Sequence, residues 1–193
     1  MNYWFWENDR DTDDAFISGG WPLDEYPNSF LTGDIVDIPT SPIEITMDEE
    51  SQGRLTDNLL LTGPAKIFSD KLIKILTENG VDNIQIFPCK IINLVSNECF
   101  NNYKVVNVIG KIKCVDFPNS SVASITENEQ QFFAWDYLTL DEKKIHNFKM
   151  FVLSEMPSQL VVHNSIQNIL KENNITGVNF IPQGEYGYGY DFE

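Results

Sequence analysis

The segment IFSDKLIKILTENGVDNIQIFP, residues 67–88, holds the clearest structural pattern in the chain, a helix followed by a strand. Ser69 or Asp70 can cap the start of the helix. Its apolar positions recur at helical spacing, at Leu72, Ile73 and Leu76. Gly80 stands where helices commonly end, and Ile84–Pro88 is typical of a strand.

The same plan recurs in VVHNSIQNILKENNITGVNFIP, residues 161–182. Here Asn164 is the predicted cap, and Val178–Pro182 is the predicted strand. The two segments align without a gap, and both end in proline. Their shared pattern predicts two helix–strand units with similar packing roles.

Most of the remaining chain alternates or clusters apolar residues in a manner typical of strands. These segments are 3–6, 43–47, 59–61, 90–94, 103–109, 111–116, 132–138 and 150–153. We therefore predict an α+β fold, a largely antiparallel β-sheet assembly with two short helix–strand units. Within one globular domain we expect an acidic, loop-rich segment at 1–58, the main α+β unit at 59–183 and a Gly/Tyr-rich tail at 184–193.

Charge is distributed unevenly along the chain. The sequence has 29 acidic and 13 basic residues, for a net charge of −16. The first 50 residues contain a single base, Arg10, beside many Asp and Glu residues. Such a surface attracts basic partners and repels nucleic acid and anionic membranes. We therefore expect a protein partner with a basic face, and neither a nucleic acid nor a membrane.

Location and redox state follow from what the sequence lacks. No apolar run approaches the ~18–20 residues of a membrane helix, and the start has no basic leader. We expect a cytoplasmic protein in which Cys89, Cys99 and Cys114 are reduced and mostly buried thiols.

Motifs for catalysis or metal binding are absent from the sequence. His146 and His163 have no metal-ligand spacing, and there is no nucleophile elbow or phosphate loop. Asp9-x-Asp11-x-Asp13 begins like a calcium loop, but Asp14 replaces the glycine that the turn requires. We predict no enzyme, no catalytic residues, no cofactor and no metal. The alternative hypothesis is a carboxylate-based hydrolase or modifying enzyme of unknown substrate. A third hypothesis is a structural subunit of a larger assembly.

Acidic and aromatic side chains are the candidates for partner binding. The predicted contact residues are Asp9, Asp11, Asp13, Asp14, Asp48, Glu49, Glu50, Tyr186, Tyr188 and Tyr190. Aromatic residues are enriched at interface hot spots, so Trp4, Trp6 and Trp21 are further candidates, with a position in the core as the alternative. Trp135 lies in a predicted strand, and we expect it in the core.

From Leu59 to Pro182 the order of elements resembles bacterial polymorphic-toxin immunity proteins of the eleventh immunity family. The resemblance is carried by IQIFPCKI at 84–91, YKVVNV at 103–108, and the turn and strands from Asp116 to Phe180. It implies a bacterial cytoplasmic protein that binds and neutralises a cognate toxin domain, without catalytic residues. Four residues match family positions, and we expect structural roles for them: Asn107, Asp116, Ser120 and Gly177. The first 58 residues lie outside the resemblance.

Overall fold

The structure is a computed structural model that describes residues 1–26, 30–37, 41–127 and 130–186, with side chains left out from 122 to 135. The strands are β1 Tyr3–Asn8, β2 Phe16–Ser18, β3 Ile43–Met47, β4 Asn58–Thr62, β5 Lys66–Ser69, β6 Ile84–Asn93, β7 Cys99–Phe100, β8 Tyr103–Val108, β9 Lys111–Ile112, β10 Ser121–Glu127, β11 Gln130–Tyr137, β12 Met150–Leu153, β13 Met156–His163 and β14 Val178–Pro182. The helices are α1 Asp70–Glu78 and α2 Asn164–Glu172. The predicted α+β fold with mostly antiparallel pairing is confirmed.

The strands form two larger sheets and one separate ribbon. The first sheet has the order β14-β1-β13-β12-β9, and the second has the order β2-β4-β5-β8-β6-β3 with β7 also paired to β6. Strands β10 and β11 pair with each other to form the ribbon.

The two helix–strand units have the same topology. In the second sheet, β8 lies between β5 and β6 and is antiparallel to both. In the first sheet, β1 lies between β13 and β14 in the same way. Each unit is therefore a strand, a helix and a parallel strand, with one antiparallel strand inserted between the two parallel strands.

Helix capping agrees with the sequence in one unit and differs in the other. Ser69 caps α1, because its Oγ accepts a hydrogen bond from the Leu72 N–H at 3.1 Å. The cap of α2 is His163, whose Nδ1 accepts from the Ser165 N–H at 3.2 Å, so the prediction of Asn164 was wrong. His163 is the residue that aligns with Ser69, so the caps are equivalent between the units.

Two strand boundaries also differ from the sequence prediction. The separate strands expected at 84–88 and 90–94 form one continuous strand, β6, whose two halves pair with different neighbours. Residues 111–116 were expected to form one strand, but only Lys111–Ile112 does so. Val115 forms an isolated bridge with Leu140.

The core between the sheets contains the buried faces of both helices. Leu72 and Leu76 of α1 and Ile166 and Leu170 of α2 lie in one cluster with side chains of both sheets. Trp6 of β1 occupies this cluster and stacks on Phe68 with ring centroids 5.5 Å apart. Each helix is nine residues long, and no helix in the described ranges has the length and apolar character needed to cross a membrane.

Residues 1–58 are part of both sheets. They supply β1, which lies between two strands of the first sheet, and β2 and β3, which form the two ends of the second. Phe5 and Trp6 of β1 are 0% and 2% exposed. Residues 3–6 were predicted to form a strand, and they lie within β1.

Candidate partner-binding surface

The first acidic segment is a loop that follows β1. The Asp9 N–H donates to the Gly177 carbonyl at 3.2 Å, which anchors the start of the loop. The loop then closes on itself, since the Asp14 N–H donates to the Asp11 carbonyl and the Asp11 N–H donates to Asp14 Oδ2, each at 3.0 Å. Asp9, Asp11 and Asp13 are exposed. Their positions are therefore determined by backbone hydrogen bonds, and their carboxylates face solvent.

The second acidic segment is the turn that follows β3. Asp48 Oδ1 accepts hydrogen bonds from the Ser51 hydroxyl at 2.7 Å and from the N–H groups of Ser51 and Glu50. The Ser51 hydroxyl is the main reason that the pKa of Asp48 lies below its ordinary value of 3.8. Glu49 and Glu50 are exposed beside it.

Arg54, which lies four residues after Glu50, binds the first acidic segment. Its Nε donates to Asp14 Oδ1 at 2.7 Å, and its Nη2 lies 3.1 Å from Asp11 Oδ2. The backbone pairs as well, because the Arg54 N–H donates to the Asp13 carbonyl at 2.8 Å and the Ala15 N–H donates to the Arg54 carbonyl at 2.9 Å. The hydrogen bond to Asp14 is the main cause of a raised pKa for the Arg54 guanidinium.

Gly53 allows this close approach. A Cβ atom at position 53 would lie 2.7 Å from the Ala15 nitrogen and 2.8 Å from the Asp13 carbonyl oxygen, and the φ angle of 146° disfavours other residues. Gly53 and Arg54, which directly follow the acidic turn in sequence, therefore pack against the acidic loop.

We call the exposed carboxylates of these two segments the acidic face: Asp9, Asp11, Asp13, Asp48, Glu49 and Glu50. Asp14 was predicted with them, but it is only 4% exposed and is held by Arg54, so its carboxylate is not presented to solvent. Nearby positive charge comes from Arg54 and from Arg10, whose guanidinium lies 4.9 Å from the centre of the Phe16 ring. The acidic face therefore retains an excess of negative charge.

The described part of the tail packs on the protein. The Tyr186 ring lies 4.5 Å from the Phe5 ring, centroid to centroid, and its hydroxyl donates to Gln159 Oε1 at 2.6 Å. Burial is the main cause of the raised pKa of Tyr186, and the nearby Glu7 carboxylate adds to it. Tyr186 therefore contacts the core. Tyr188 and Tyr190 lie outside the described residues.

The tryptophan candidates are mainly core residues. Trp6 is 2% exposed and Trp21 is 5% exposed, so the alternative of a core position holds for both. Alternation along the strand places Trp6 between the sheets, and the loop that contains Trp21 folds over the second sheet. Trp4 is half-buried beneath the Lys171 ammonium group. Trp135 belongs to β11, where side chains are not described.

Metal ligands and reactive thiols are the other candidates for chemistry on this protein. Within residues 1–26, 30–37, 41–127 and 130–186, no group of three or more His, Cys, Asp or Glu side chains has a metal-binding arrangement. Cys89 and Cys114 are buried, and burial raises the pKa of each thiol to about 12. Cys99 is exposed. The expectation of mostly buried thiols therefore holds for two of the three cysteines.

Two shallow pockets share the loop 147–149. One, of about 290 Å³, is lined by that loop with Tyr3, His163 and Ser165. The other, of about 140 Å³, is lined by the same loop with Gly80, Asp82, Asn83 and His146. Asp82 is the single carboxylate that lines either of them, so these two pockets do not hold the paired acids of a carboxylate-based hydrolase.

The residues that match family positions have hydrogen-bonding and backbone roles. Asn107 Nδ2 donates to the Asp34 carbonyl at 2.7 Å. The Ser120 hydroxyl donates to the Asp116 carbonyl at 2.8 Å. Gly177 has a φ angle of 79°, and a Cβ there would overlap the Asn58 carbonyl oxygen. These contacts agree with the structural roles expected for them.

Arg54 was missed by the sequence analysis. An arginine that follows an acidic turn has no pattern that identifies its partner, because the Asp14–Arg54 contact joins residues 40 positions apart. The shortage of bases in the first part of the chain was the one available indication.

The sequence model of the immunity protein family (Imm11) matches residues 8–185. The match begins at the last residue of β1, so the expectation that residues 8–58 lie outside the family was wrong. The resemblance was drawn from short sequence patterns that begin at residue 59. The strands before residue 59 have no such pattern, so their membership of the family was not recognised from the sequence. No curated protein matches the chain. Because the match covers most of the sequence, the chain belongs to the immunity protein family (Imm11).

Proposed function

We propose that this protein neutralises a cognate polymorphic-toxin domain in the bacterial cytoplasm by binding it through the acidic face. The family match over residues 8–185 is the observation that supports this function most strongly. The acidic face supplies a physical means of recognition, because its six carboxylates are exposed while the acidic loop is held against Arg54, just beyond the acidic turn.

The charge of the acidic face points to a basic partner. A toxin domain that acts on nucleic acid carries such a surface, since it must bind phosphates. Negative charge opposite that surface accelerates association, while well-packed contacts determine how slowly the complex dissociates. Neutralisation then follows if the bound protein covers the toxin's substrate-binding surface.

The first test is copurification of the tagged protein with the product of the adjacent gene at low and high salt. A 1:1 complex with a toxin domain is expected, and its association rate should fall as salt rises. Copurification of no partner under either condition would argue against the proposal.

Neutralising substitutions test the role of the acidic face. The variant combines three exposed positions: Asp13→Asn, Glu49→Gln and Glu50→Gln. The matched control makes the same change in net charge elsewhere: Glu78→Gln, Asp82→Asn and Glu172→Gln. At low salt we expect association to slow about tenfold or more in the first variant and less than about twofold in the control. Equal effects would show that net charge, and not this face, governs binding.

A further inference from the structure

The ribbon formed by β10 and β11 is separate from both sheets. Its strands contain seven and eight residues, so the ribbon extends roughly 25 Å at about 3.3 Å per residue. Within the described ranges, neither strand pairs with any strand other than its ribbon partner. Both outer edges therefore have backbone N–H and C=O groups without a sheet partner.

The base of the ribbon is held firmly by hydrogen bonds. The Thr139 N–H donates to the Ser120 hydroxyl at 3.0 Å, and the Asp116 N–H donates to the Thr139 carbonyl at 3.0 Å. The Ser121 hydroxyl also donates to Asp136 Oδ2 at 2.8 Å. The ribbon is therefore attached to the protein at a defined point.

The sequence of the ribbon lacks the usual protection of an exposed sheet edge. Natural edge strands carry charged residues, most often lysine, or proline or β-bulges, which prevent pairing with another chain. Residues 121–137 contain no Lys, Arg or Pro, and the single irregularity in register lies at the base, between Ser121 and Val122. An isolated two-stranded ribbon is only marginally stable in water. Such edges are suited to pairing with a further strand.

The composition of the ribbon indicates which partner it suits. Residues 121–137 include three acids and no base, Glu127, Glu129 and Asp136. By sequence, β11 also carries several aromatic residues, and Tyr137 at its base is 43% exposed. A basic strand with apolar residues matches this combination of negative charge and aromatic residues.

We propose that an exposed, basic edge strand of the toxin domain adds to the β10–β11 ribbon and extends it to a three-stranded sheet. This inference rests on the proposed function, because it names a contact of the same toxin. Backbone hydrogen bonds along the edge supply affinity, and the side chains on either face supply selectivity.

The decisive variant lacks the ribbon. Residues 122–136 are replaced by Gly-Asn-Gly between Ser121 and Tyr137, which are cross-strand partners and can be joined by a short turn. The Ser120–Thr139 contacts remain, so the two larger sheets should stay folded. We expect affinity for the toxin domain to fall a hundredfold or more. The far-ultraviolet circular dichroism spectrum of the variant should differ from that of the intact protein only by the contribution of the deleted strands.

A second variant keeps the ribbon and blocks its edges. Thr126→Lys and Gln131→Lys change two polar cross-strand partners to the residue that natural edges use for protection. The matched control adds the same charge on the helices, Thr77→Lys with Asn168→Lys, both at exposed positions. We expect at least a tenfold loss of affinity in the ribbon variant and less than a twofold loss in the control.

The outcomes separate this inference from the proposed function. If the intact protein binds the toxin and both ribbon variants bind it equally well, the strand-addition proposal is wrong while the immunity function stands. If the intact protein is a dimer that the ribbon variants dissociate without loss of toxin affinity, a second copy of this chain is the occupant and the proposal is again wrong. If the intact protein binds no toxin domain, the proposed function itself is refuted.

Discussion

Replacing Phe5 with alanine tests whether the N-terminal residues are an integral part of the core. Phe5 is fully buried in β1, where it pairs in register with Val161 on one side and Ile181 on the other. Its ring also contacts Tyr186. Removing a buried phenylalanine ring typically destabilises a protein by about 3–5 kcal/mol. For a chain of this length that corresponds to a fall in melting temperature of roughly 6–20 °C.

The matched control is Phe148→Ala, which removes the same ring from a position that is 36% exposed. We expect the control to cost about 1 kcal/mol or less. Urea denaturation of both variants, followed by circular dichroism, gives the two free energies of unfolding. A loss below about 1 kcal/mol for Phe5→Ala would refute the conclusion that β1 is part of the core. The expected result also means that truncation of residues 1–50 would unfold the protein, so point substitutions are the appropriate test of binding.

Three further predictions concern capping, thiol reactivity and acid stability. Ser69→Ala should destabilise the protein by about 1–2 kcal/mol, because α1 loses its N-cap, and Ser69→Thr should restore most of that loss in urea denaturation. A thiol reagent at pH 8 should modify the exposed Cys99 rapidly and should reach Cys89 and Cys114 only after unfolding. The reason is that burial raises the pKa of those two thiols to about 12. Rapid reaction of all three cysteines would contradict this prediction. The lowered pKa of Asp48 means that its carboxylate stabilises the fold above the ordinary value of 3.8 and that this stabilisation disappears as pH falls through the lowered value. Asp48→Asn should therefore reduce the acid dependence of stability between pH 5 and 2, whereas parallel curves for the two proteins would show that the turn does not depend on the charge.

Local patterns in the sequence predicted the helix–strand units well. Apolar spacing and Gly80 placed α1, and the gapless alignment of 67–88 with 161–182 corresponds to two units of equal topology. These features depend on neighbouring residues, so they can be recognised without knowing the fold. The cap of α2 could not be predicted in the same way. Histidine is an unusual cap, and its role depends on the conformation of the backbone around Ser165.

The acidic face could be predicted only in part. Composition identified its two acidic segments. Six of the seven carboxylates that were predicted to contact a partner are exposed. The packing of Gly53 and Arg54 against the acidic loop could not be predicted, because the Arg54 contacts with Asp11 and Asp14 and the close approach of Gly53 are long-range interactions. For the same reason the sequence did not predict that Asp14 is buried or that Tyr186 packs on Phe5.

Inhibition of the toxin by the purified protein tests the proposed function most directly. The activity of the toxin domain encoded beside this protein is measured while the intact chain is titrated into it. We predict that activity falls to zero at one equivalent of the protein, and that the acidic-face variant reaches the same end point more slowly at low salt. Full toxin activity in the presence of a large excess of folded protein would contradict the account.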